Sequence, residues 1–148
     1  MSLRFALVAG FVTVLGLAGP VFADPIADGI AALPGAVEDV RIGGTWEKDG
    51  KTGAYRIFIA RSGGEKVTAR LFVQWVADNE DGSTTIENTI EIKELTEKKV
   101  DVVDYTSESD ADGISIYIEA IDPSGEGDTN YELHITSPTE YKFGPASN

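Results

Sequence analysis

The 148-residue chain contains no cysteine and a single histidine, His134. The first absence excludes disulfide scaffolds, thiolate zinc sites, iron–sulfur clusters and thiol nucleophiles. The second excludes a two-histidine metal site, and the 2-His-1-carboxylate arrangement with it, from any site built by one chain. Basic residues are scarce as well, with 12 Lys and Arg against 25 Asp and Glu and a formal net charge of −13. Phosphate backbones and anionic lipid surfaces repel such a chain, so neither nucleic acid nor a membrane surface is an expected partner. There is no Gly-x-Ser-x-Gly elbow, no dinucleotide-type glycine fingerprint and no Asn-x-Ser/Thr sequon.

What is present begins with a leader. Arg4 precedes the apolar run Phe5 to Leu17, and Gly19, Pro20, Val21, Phe22 and Ala23 follow it. Slim side chains at Val21 and Ala23, three residues and one residue before the cut, fit signal peptidase, so residues 1–23 read as a signal peptide cleaved after Ala23. The alternative is an uncleaved anchor, since the run approaches the roughly 18 to 20 residues that span a bilayer. With cleavage the expected location is the periplasm or the extracellular medium, with no membrane attachment. Residues 24–148 then form one domain, stabilised without disulfides by its core alone.

After Pro25 to Pro34, where Ile26, Ile30 and Leu33 suit one helical turn, the dominant signal is period-two alternation. It is clearest where Val67, Ala69, Leu71, Val73 and Trp75 interleave with Lys66, Thr68, Arg70, Phe72 and Gln74. It recurs at Tyr55–Ile57–Ile59, Ile86–Ile90–Ile92, Ile114–Ile116–Ile118 and Tyr131–Leu133–Ile135, with shorter runs at Val37 to Trp46, Val100 to Tyr105 and Tyr141 to Phe143. Turn chemistry separates them, at Asp49-Gly50, Ser62 to Glu65, Asp78 to Gly82, Thr96 to Lys99, Asp110 to Gly113 and Asp122 to Asn130. The pattern predicts an all-β antiparallel sandwich of seven or eight strands, with a small closed or partly closed barrel as the alternative. If consecutive strands pair as simple hairpins, the turns at Asp49-Gly50, Asp78 to Gly82 and Glu108 to Gly113 share one end.

The negative charge is unevenly placed. From Asp24 to Val76 seven basic residues balance seven acidic ones, whereas from Ala77 onward eighteen carboxylates face four lysines. This asymmetry suits a cationic partner, but the simpler reading is a soluble exported protein that resists aggregation by self-repulsion.

Calcium is the one cofactor the composition suggests, because hard cations need only clustered oxygens. Glu108 to Glu119 mimics the ligand spacing of an EF-hand loop, but Glu stands where Asp is usual and Ile114 to Ile121 alternates like a strand, so a tight turn is the simpler reading. Pooled ligands from Asp78 and Asp81 with Asp110 and Asp112 are the less constrained metal candidate. The glycine-bearing loop Asp122 to Asn130 is another. His134, between Glu132 and Thr136, reads as a solvent-facing strand residue without a nucleophile to serve. Carboxylate pairs for glycoside hydrolysis carry no information in so acidic a chain.

Three aromatics break the alternation. Phe58 opposes Ile57 and Ile59, Phe72 opposes Trp75, and Tyr117 opposes Ile116 and Ile118, so Phe58, Phe72 and Tyr117 are the candidate partner-binding residues. A segment such as Pro25 to Ile42 covering them is the alternative. By elimination the expected function is a non-enzymatic exported binding module with a protein partner. An inhibitor of a cationic wall-degrading enzyme such as lysozyme is the first alternative, for which Lys51 to Tyr55 would be an inserted element, and a calcium-binding β module is the second.

Overall fold

The computed structural model describes residues 24–125 and 127–147. The leader falls outside them. The chain divides into two units between Leu33 and Pro34. In the first, α1 (Pro25–Ala31) starts with proline, and its N-cap Asp24 accepts from the amides of Ile26 and Ala27 at 3.0 and 3.2 Å. Ile26 and Ile30 are exposed on this helix.

The second unit is a sandwich of two four-stranded antiparallel sheets and is not a closed barrel. Sheet A is formed in chain order by β1 (Val37–Lys48), β2 (Lys51–Ser62), β3 (Thr68–Asp78) and β4 (Thr84–Glu91). Sheet B follows with β5 (Asp101–Asp110), β6 (Gly113–Ile121), β7 (Asp128–Ser137) and β8 (Glu140–Pro145). Every pairing joins sequence neighbours, with β4 and β5 left unpaired with each other, so the hairpin expectation holds within both sheets. The alternating residues face inward as expected. Tyr55, Ile57, Ile59, Leu71 and Val73 of sheet A pack against Val102, Ile116, Ile118, Leu133 and Ile135 of sheet B, all buried. Burial of this apolar area is the main stabilising term, and no polar or charged residue in the described chain is fully buried.

Two elements depart from the alternation. Thr96 to Lys99 is not a bare turn: α2 (Lys93–Lys98) carries the chain from one sheet to the other, drops Leu95 into the core and ends on Lys99 with a left-handed φ of 56°. A six-residue helix with one buried residue has no readable period. In β4, a register shift leaves Glu87 unmatched opposite Trp75 and Val76, which turns Ile86 outward although Ile90 and Ile92 point in.

The sheets are joined along one edge by side chains instead of a backbone ladder. Ser107 Oγ donates to the Gly43 carbonyl at 2.8 Å, and Ser109 Oγ accepts from Thr45 N at 3.0 Å, so β5 approaches β1 where glycines leave room. Arg41 lies 4.5 Å over the Tyr105 ring and donates to Asp104 at 2.8 Å, and this bond holds the Asp104 carboxyl below its ordinary range. At the far end of the same seam, Arg61 donates to Glu38, Asp101 and the Val102 carbonyl. Arg61 and Asp101 are each about three-quarters covered, at 24% and 22% side-chain exposure, so removing the guanidinium strands a largely covered carboxylate. Arg61→Ala is expected to cost about 2 kcal/mol in a urea titration, with Arg61→Lys recovering only part, because one ammonium cannot bridge three acceptors in fixed directions.

Candidate functional site

The turns between β1 and β2, between β3 and β4, between β5 and β6 and between β7 and β8 gather at one end of the sandwich. The first is tight, with Asp49 at φ 52° and Gly50 at φ 76°, as a two-residue hairpin requires. The β5–β6 hairpin is equally tight, Asp110 pairing with Gly113 across Ala111-Asp112. Between these turns the sheets part around a cleft of about 840 Å³. Its floor is aromatic: Trp46, Tyr55 and Trp75 line it, the last two meeting edge to face with ring centroids 5.6 Å apart. The floor is fixed from below, since Gly53 has no room for a Cβ between the Val76 carbonyl and the Trp46 ring, and Trp46 Nε1 donates to the Ala54 carbonyl at 3.2 Å.

The rim is charged. Glu47, Asp49, Asp110 and Asp112 line it and make no salt bridge among the described residues, whereas Lys51 is paired with Glu87. Burial pushes the Tyr55 phenol up, and the charge of Asp110 acts in the same direction. A smaller hollow of about 610 Å³ on the outer side of the β1–β2 turn shares Asp49 and Asp110 and adds Asp78. The three acidic turns expected at one end therefore do lie together.

Among the described residues, no group of three or more His, Cys, Asp or Glu side chains gathers as a ligand set. Asp81 is turned back on its own loop, accepting from Ser83 N at 2.9 Å and Ser83 Oγ at 2.6 Å, and these bonds lower its pKa. Asp110 accepts from Asp112 N at 2.8 Å, which is the tight-turn reading of this stretch. Asp78 faces the smaller hollow, apart from Asp81. In the long loop, Asp122 likewise accepts from Ser124 N.

The candidate aromatics fall on two different surfaces. Phe58 and Phe72 stand directly opposite each other on the outer face of sheet A. The row runs Val40, Phe58, Phe72, Glu91, and the next runs Ile42, Arg56, Gln74, Thr89. Ile86 and Val76 extend the apolar area, with Ile42 65%, Ile86 52% and Val40 44% exposed. Arg56 lies 5.2 Å over Phe58 and Arg70 lies 4.9 Å over Phe72. Arg70 is satisfied by two bonds of 2.8 Å to Glu91, which lower the Glu91 pKa, whereas Arg56 reaches only the neutral Gln74 amide oxygen.

Tyr117 is on the outer face of sheet B, so it does not join that patch. Its cross-strand neighbours are Thr106 and Glu132, with Ser115 and Glu119 on either side along β6. His134 is on the same face, with Nδ1 3.0 Å from Ser115 Oγ. His134 also lines the cleft described above, and among the described residues no carboxylate bonds its other ring nitrogen as the orienting group that nucleophilic catalysis needs.

Sequence reasoning gave no role to Tyr105, whose inward position is set by a register shift at Val103. Its hydroxyl is buried without a hydrogen-bond partner among the described residues, and burial, with the charge of Asp39 adding to it, pushes the phenol up to about 12. Tyr141 is also pushed up to about 12, by burial and by its bond to Glu94. A raised folded-state value contributes stability that is complete below the unfolded value near 10 and is lost as pH rises through 12. Alkaline unfolding is therefore expected between pH 10 and 12, and Tyr105→Phe is expected to move its midpoint upward in a pH titration followed by circular dichroism. At pH 7 the same variant should stay within about 1 kcal/mol of the parent, since no bond is lost.

No helix of the described residues is long and apolar enough to cross a membrane. Comparison with protein-family models, with curated proteins and with solved structures gives no match.

Proposed function

We propose that this chain is a binding module without catalysis of its own, acting outside the cytoplasm, and that it docks through the outer face of sheet A onto a folded protein. The observation that carries this reading is the two-sided apolar character of sheet A. An antiparallel sheet with one face on a core normally turns polar residues to water, yet here Val40, Ile42, Phe58 and Phe72 form an outer apolar area, with Val76 and Ile86 beyond the polar pair Arg56 and Gln74. Its stiff side chains are already ordered on a rigid sheet, so little conformational entropy is lost on docking. Arg56 specifies the partner's chemistry: a guanidinium stacked on Phe58, with no carboxylate partner among the described residues, fits an apolar surface that brings one.

The test uses a photo-crosslinking residue placed at Phe58, at Phe72 or at Tyr117 in the full-length protein, expressed in its native cells. The expected result is one discrete adduct with a different protein from the first two positions, none from Tyr117, and loss of the adduct with Arg56→Glu. Adducts only with a second copy of the chain, or adducts that ignore Arg56→Glu, would overturn the reading.

A second reading rests on charge. Residues 101–148, which hold sheet B and its turns, carry eleven carboxylates against Lys142 alone, and this favours a cationic partner, such as a wall-degrading enzyme, on the opposite face. Such binding would weaken steeply with salt. The inserted element imagined for an inhibitor is already committed, because Lys51 to Tyr55 is the first half of β2 and pairs with β1 and β3.

A further inference from the structure

We infer that the cleft at the turn-bearing end of the sandwich binds an organic cation, an alkylammonium or guanidinium group carried on an apolar chain. The site is independent of the outer face of sheet A and stands whether or not that face docks a protein.

The volume, about 840 Å³, lies within the range of small-molecule sites and far exceeds what one metal ion fills. The walls fix the ligand class. Four carboxylates, on Glu47, Asp49, Asp110 and Asp112, line the cleft without an ion-pair partner in the described chain, and Lys48 is the one unpaired cation among the lining residues. A net negative rim selects a positive ligand. The same carboxylates are too dispersed to serve a hard ion that needs six to eight oxygens in one shell, as the absence of any ligand cluster among the described residues shows. A larger cation with its charge on a flexible chain tolerates that spread.

The floor supplies the other half of the recognition. Trp46, Tyr55 and Trp75 are only 9%, 4% and 8% exposed, so they offer the methylene chain and the ammonium head a small apolar and π area at the base of the cleft. The field of the rim reaches this floor, since the Asp110 charge contributes to raising the Tyr55 phenol. The tight turns at Asp49-Gly50 and Ala111-Asp112 hold the acids on short, fixed connections, which limits the ordering needed on binding. The ligand's ammonium group could belong to a free polyamine or to a lysine side chain of a basic peptide, and the two sources share this chemistry.

The chain has two tryptophans, and both line this cleft, so intrinsic fluorescence reports on it without a label. The probes are cadaverine, spermidine and an acetylated, amidated tri-lysine peptide, with 1-pentanol as the uncharged control, each titrated into the full-length protein. The expected result is a saturable change in tryptophan emission with at least one amine and none with 1-pentanol at equal concentration. The double variant Asp49→Asn, Asp110→Asn should weaken it at least tenfold, and Glu119→Gln on the outer face of sheet B should leave it unchanged. Saturation with the amines alone identifies a small-molecule site, and saturation with the peptide alone identifies a lysine side chain as the source. No saturable change with any amine, an equal response to 1-pentanol, or an equal loss with Glu119→Gln would each overturn the inference. Circular dichroism melts of the double variant separate loss of binding from loss of fold.

Discussion

Gly113→Ala is expected to lower the melting temperature by on the order of 10 °C, far more than the addition of one methyl group suggests. Gly113 opens β6 directly after the β5–β6 turn, at φ 144°, a region that residues with a Cβ rarely adopt. A Cβ there would also collide with the Ile135 carbonyl oxygen on β7. The obstacle is backbone, so no side-chain rotation relieves it. Strain and collision together should cost about 3 kcal/mol. Gly50→Ala isolates the two causes, because Gly50 has φ 76° but open space around it, and its cost should stay near 1 kcal/mol. Equal melting temperatures for the two variants would show that the approach to Ile135 contributes nothing.

Adjacent residues on β3 should give opposite phenotypes. Leu71 is fully buried at the centre of sheet A, so Leu71→Ala removes apolar burial and leaves a cavity between the sheets. Losses of about 3 to 4 kcal/mol are expected, seen as a lower urea midpoint with an unchanged slope. Phe72 is half-buried on the outer face, supported by Phe58 across the strand and by Arg70 over its ring. Phe72→Ser should cost only about 1 kcal/mol while abolishing the docking proposed for that face. A large stability loss at Phe72 with binding intact would make the patch a structural layer instead of a docking surface.

The sandwich was legible because inward residues recur at every second position on β2, β3, β6 and β7, the four inner strands. The outer strands were harder to read. On β1, two register shifts and the Gly43-Gly44 pair break the alternation, and Asp39 and Arg41 point toward the seam where an apolar pattern would be sought. On β5, the shift at Val103 exposes that residue and brings Tyr105 inside. The end shared by the acidic turns followed from hairpin connectivity, but the cleft between them did not. Its floor combines Trp46 with Tyr55 and Trp75 across three strands, and its depth depends on how far the sheets separate, a quantity set by packing and not written locally. Phe58 and Phe72 were readable as outward-facing from parity alone. Their pairing came from the register of β2 against β3, and the separation of Tyr117 from them required knowing that sheet B is a different sheet.

The connectivity described above also bears on how the molecule assembles. Every strand pairing joins sequence neighbours, and sheet A is complete at Glu91, before any residue of sheet B. Each hairpin closes a short loop at small entropic cost, so the slow, long-range event is the docking of one finished sheet on the other. During synthesis sheet A emerges first, with two apolar faces and no cover for either. The interval before sheet B arrives is when the chain is most prone to aggregate, and it ends with the delivery of the segment that carries most of the molecule's excess negative charge.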